Sequence, residues 1–102
     1  MNLQCSFSGE VWYWRGPAPF HFVTVPPAES AAIKAVEKHA TYGWGMIPVR
    51  ATIGNTEFET ALWPKDGQYI LPLKDKIRKA EQIEVGSAIL VAMEVVMTHG
   101  SR

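Results

Sequence analysis

Cysteine occurs once in 102 residues, at Cys5, which excludes an internal disulfide. Net charge is missing as well. Ten Lys and Arg balance ten Asp and Glu, so no overall positive field draws in nucleic acid, and any polyanion site has to be local. No run approaches the ~18 uninterrupted apolar residues of a membrane span. The opening MNLQCSFSGEVWYW lacks the basic start, apolar run and small-residue cleavage site of a secretory signal. A cytoplasmic chain with no membrane partner is the expectation.

Chemistry-bearing motifs are equally scarce. His21, His39 and His99 are scattered, and none has a Cys, His or carboxylate at metal-ligand spacing. There is no Gly-rich phosphate loop, no G-x-S-x-G and no Cys-His pair in sequence reach. Neither a metal nor a cofactor is expected, no catalytic residue is assigned, and an enzyme has no support in the sequence. Cys5 alternates with Leu3 and Phe7 and lacks neighbouring basic groups, so it reads as a small buried hydrophobe rather than a reactive thiol.

What the chain does have is alternation. At 47% hydrophobic and 20% charged it has an ordinary globular composition, and its length suits a single domain, residues 1–102. Period-two patterns bounded by Gly and Pro predict seven strands: residues 2–8, EVWYWR beyond Gly9, FHFVTV, MIPVRATI, TEFETALW, QYILPL and SAILVAMEVVM. Gly54-Asn55 reads as the tip of a hairpin. Pro26 and Pro27 open a helix over 27–42, with Ile33, Val36 and Ala40 on one face and Gly43 as its stop. A second, shorter helix over 74–82 presents Leu73, Ile77 and Ala80 as an inward stripe. The fold class is mainly β with two helices.

A weak internal repeat runs through this order. Strand, Gly-containing turn, strand ending near Pro, helix, Gly and strand occur once in each half, which implies pseudo-two-fold symmetry within one chain.

The stretches FSGEVWYW, YGWGMIPVRATIG, FETALWP and GQYILPLKDKIRKAEQIEVGSAILV resemble the DUF1905 family, small proteins of unassigned function, over essentially the whole length. From 58 to 96 the pattern is also similar to the monomer of AbrB and MazE-type regulators. That resemblance implies a double-split β-barrel built from one chain instead of two. It does not carry DNA binding with it. Gln68 follows the turn glycine Gly67 where those regulators commonly have arginine, and the first-half counterpart, PPAESAAIKAVEKHATY, is mixed in charge. The family resemblance further suggests companions of YdeI-type domains linked to bacteriocin or peptide protection.

Two groups of residues are candidates for function. Lys74, Lys76, Arg78 and Lys79 form a basic helix surface that could grip phosphates, although Asp75 and Glu81 among them favour a merely solvated face. Trp12, Trp14, Trp44 and Trp63 are more tryptophan than a plain small core needs. They read either as barrel-corner packing or as an aromatic ligand-binding cleft. Arg50 is the polar group expected beside those rings, where its fork could hold a carboxylate or phosphate; the alternative is an ion pair with Glu57 or Glu59 across the hairpin. His21, between Phe20 and Phe22, is expected on an outer strand face, or making one hydrogen bond. The functional expectation is a non-enzymatic module with an aromatic and basic groove for a small ligand or protein partner. An AbrB-like nucleic-acid regulator and a peptide-protection accessory are the alternatives, and neutral charge disfavours the former.

Overall fold

The computed structural model describes residues 2–40 and 45–97. Gly43 and Trp44, and with them the expected stop of the first helix, lie outside the described residues.

Among the described residues six antiparallel strands close into a barrel: β1 (Leu3–Trp14), β2 (Phe20–Val25), β3 (Ile47–Ile53), β4 (Thr56–Lys65), β5 (Gln68–Leu73) and β6 (Ala88–Val95). Around the barrel they run β1-β2-β5-β4-β3-β6. Six replaces the seven predicted, because residues 3–14 form one strand. Gly9 lies within it, and a Cβ there would come within 2.8 Å of Val23 Cγ2, so only glycine lets β2 approach this closely. On either side of this region β1 changes partner, from β6 at Leu3–Glu10 to β2 at Val11–Trp14.

Two-residue turns set the hairpin registers. Gly54 has φ +59° between the paired Ile53 and Thr56. Asp66 and Gly67 both have positive φ between the paired Lys65 and Gln68, the pattern of a type I′ turn. Alternation then sends Phe7, Val11, Val23, Val25, Val49, Leu62, Leu71 and Val91 into the barrel interior, where all are buried.

Among the described residues three short helices pack against the strands. The predicted helix over 27–42 is divided into α1 (Pro27–Ala35) and α2 (Glu37–Ala40) at Val36, whose φ of −113° is not helical. Pro27 occupies the first turn, and Ile33 is fully buried in the core. Ser30 is the buried polar residue of α1. Its hydroxyl donates to Val25 O (3.0 Å), and its Oγ accepts from Tyr69 N–H (3.2 Å), tying the helix to β2 and β5 at once.

α3 (Asp75–Glu81) starts after Lys74 and ends at Gln82, which adopts the left-handed conformation. Leu73 and Ile77 are buried as expected, but Ala80 is exposed. In this two-turn helix the covered side passes from Ile77 to Arg78 and Glu81, which are partly buried, while Asp75 and Lys76 of the first turn are exposed. Glu81 accepts from Asn55 N–H (3.2 Å) and from the Thr56 hydroxyl, fastening α3 to the β3–β4 turn.

Candidate aromatic site on the barrel exterior

The outer face of a small barrel is ordinarily polar, and here one sector is not. Outward positions on four neighbouring strands carry Trp12 and Trp14 (β1), Phe20 and Phe22 (β2), Ile70 and Pro72 (β5) and Trp63 (β4). Phe22 is the floor of this cluster and is almost wholly buried although it points away from the core. Trp12 and Trp63 approach it from two sides, each with its ring centroid 5.2 Å away, and the Phe22–Trp63 contact is edge-to-face. Phe20 adds a third contact at 5.6 Å.

The rings differ in how they are held. Trp12 donates its indole N–H to Thr24 Oγ1 at 2.9 Å, which fixes it as a supporting wall. Trp14 and Trp63 are 40% and 38% exposed, large fractions for rings of this size. Between them lies a cleft of about 250 Å³ lined by Trp14, Phe22, Trp63, Pro64, Lys65 and Ile70. Lys65 supplies a cation at the rim, paired with Asp66 at 3.0 Å on the surface.

The barrel order brings together three of the four predicted tryptophans. Trp44 lies outside the described residues. Arg50 does not line the cleft of Trp14 and Trp63: it faces outward on β3, donates to Glu94 (3.1 Å) and pairs with Glu59 (3.4 Å). The cross-strand ion pair is thus its observed role, with a second carboxylate added by β6. Glu59 and Trp63 lie on the same strand face four residues apart, roughly 13 Å. Phe22, Ile70 and Lys65 were not singled out from the sequence. For Ile70 the signal was the run YILPL, apolar at every position, which marks a strand buried on both faces; Phe22 and Lys65 lie outside that run.

The basic helix is less of a unit than its sequence implies. Lys74, Lys76 and Lys79 are exposed, whereas Arg78 is mostly covered and paired with Asp75. His21 is not on the outer face of β2. Its neighbours Phe20 and Phe22 take that face, and its ring lies against Tyr13 at 4.7 Å. Burial, and after it the Arg78 guanidinium, lower its pKa, with Asp75 opposing. Cys5 packs against the core, and burial followed by the charge of Glu29 raises its thiol pKa, away from the thiolate. Among the described residues no group of three His, Cys, Asp or Glu side chains could hold a metal ion. None of the described helices is long and apolar enough to cross a membrane.

No curated protein matches the chain. The profile of DUF1905, a domain of unknown function, matches residues 7–93, and the chain belongs to that family.

Proposed function

We propose that the protein is a non-enzymatic binding module whose aromatic outer face receives a planar, anionic small ligand or a partner side chain of that kind. The observation that supports this reading is the pair of half-exposed rings, Trp14 and Trp63, lining one cleft with the buried Phe22. Leaving two tryptophans this open forgoes apolar burial worth roughly 25 cal/mol per Å². A bound π-system would cover them, and Lys65 at the rim would favour a negative group on it. Lys65 takes the place that the sequence had suggested for Arg50.

The reading includes a pseudo-two-fold, double-split barrel. Exchanging β1 with β4, β2 with β5 and β3 with β6 leaves the strand order unchanged, and Pro26 and Lys74 each precede a helix that follows β2 or β5. Trp12 opposite Phe22 and Trp63 opposite Ile70 occupy matching places in the two halves, so the aromatic cluster straddles the approximate axis.

Anilinonaphthalene sulfonate, a planar ring system with an anionic group, is a suitable probe. The expectation is enhanced dye fluorescence with the native protein and acrylamide quenching of part of the tryptophan emission. Trp14→Ala with Trp63→Ala should remove the dye enhancement and lessen the quenching, without loss of the folded state. If every ring is shielded from acrylamide, or if the double variant binds the dye as well as the parent does, the aromatic face is not the site.

A further inference from the structure

The β4–β5 ladder is short, and its end is set by a proline. In the β3–β4 hairpin the two-residue turn makes Ile53 and Thr56 a hydrogen-bonded pair, and alternation makes Phe58 and Thr60 the next ones on β4. Glu57, Glu59 and Ala61 therefore aim their N–H and C=O groups away from β3. That is the direction in which Trp63 and Lys65 meet Ile70 and Gln68 of β5. The next residue of β5 in this series is Pro72, which has no N–H to give. Pairing stops at Trp63 and Ile70.

Beyond that point β5 turns into α3, and a groove of about 290 Å³ opens. One wall is β4 from Thr56 to Thr60, and the other is Pro72, Lys74, Lys76 and Ile77. The walls carry opposite charge without neutralising each other: among the described residues neither Glu57, Lys74 nor Lys76 belongs to an ion pair. Phe58 and Ile77 supply an apolar floor.

We propose that this groove binds an extended segment of a partner protein as an added strand on β4. Its backbone pairs with Glu57 and Glu59. Its apolar side chains rest on Phe58 and Ile77, a basic side chain lies over Glu57, and an acidic one reaches Lys74 and Lys76. A second copy of β4 fits the edge poorly, because antiparallel self-pairing sets Glu57 and Glu59 against one another. The aromatic face plays no part in this argument, so either site can fail without the other.

The test uses amide exchange by nuclear magnetic resonance, with three acetylated seven-residue peptides that alternate valine with lysine, with glutamate, or with both. In the free chain the amides of Glu57 and Glu59 should exchange freely, and the mixed-charge peptide should slow them by about tenfold or more. Glu59→Pro removes an outward donor while sparing the β3 ladder, and should abolish that protection; Glu59→Gln should keep it. Glu57→Pro serves the same end if Glu59→Pro does not fold. Amides already protected in the free chain, no protection by any peptide, or protection that survives the proline variants would overturn the proposal. So would a dimer in sedimentation that Glu59→Pro dissolves, since the edge would then belong to a second copy.

Discussion

The backbone N–H of Tyr69 donates to the buried hydroxyl oxygen of Ser30, 3.2 Å away, so a β5 amide finds its partner on a helix and not in a sheet. The same hydroxyl donates to Val25 O, and that carbonyl also accepts from Gln68 Nε2 at 2.9 Å. Ser30→Ala leaves the Tyr69 N–H without this partner in the interior. We expect a loss of about 1–3 kcal/mol in urea denaturation, with an unchanged m-value, since no new surface is exposed.

Tyr69 makes stability depend on alkali. Burial, then the hydrogen bond its hydroxyl donates to Glu37 (3.1 Å) and the charge there, push its pKa up to about 12 from an ordinary 10.0. The fold thus favours the neutral phenol. This contribution is complete below the unfolded value and is lost as pH rises from about 10 through about 12. Denaturation midpoints measured across that window should fall more steeply for the parent than for Tyr69→Phe. Equal slopes would show that Tyr69 is not responsible.

Ile77 and Ala80 separate the two sides of α3. Ile77→Asp places a carboxylate among apolar neighbours and should cost more than about 3 kcal/mol. Ala80→Asp, on the exposed side, should stay within about 0.5 kcal/mol of the parent. Chemical denaturation of both checks how the helix is docked, and an unchanged midpoint for Ile77→Asp would be incompatible with it.

The exposed lysines of α3 should not grip duplex DNA. With ten charges of each sign in the chain and Arg78 occupied by Asp75, no measurable binding to random duplex is expected at physiological salt. Micromolar binding would refute this. If it also had a steep salt dependence that Lys76→Ala with Lys79→Ala flattened by about one unit per lost contact, phosphate recognition would be established.

Alternation and turn chemistry made most of the barrel legible. Gly54-Asn55 sits at the hairpin tip, Pro27 in the first helical turn, and Ile33 and Ile77 in the core, each for a local reason. The strand count failed at Gly9, where a glycine that looks like a break permits close packing along a continuous strand. The stripe on α3 failed at Ala80 because the covered side of the helix is turned toward Arg78 and Glu81, and Glu81 is held there by Asn55 and Thr56, contacts that helical spacing does not reveal. The aromatic site was half legible. Trp12 and Trp14 share a strand, but Trp63 joins them only through the order β1-β2-β5-β4, which no local pattern encodes. The partner of Arg50 was hidden for the same reason, since Glu94 comes from a distant part of the sequence.

The pairing of β1 with β6, from Leu3 opposite Val95 to Glu10 opposite Ala88, has a kinetic side. Of these six strands β1 emerges before the others and β6 after them, so the interior cannot be sealed until β6 has been made. Until then β1 offers an unfinished edge to any passing strand, and closing so long a loop sets a slow step. A covalent bridge between the ends of β1 and β6 would shorten that search. Opening the chain at the exposed Asp66-Gly67 turn would then move the late event to the β4–β5 ladder, and the refolding rate would report which closure limits the assembly of the barrel.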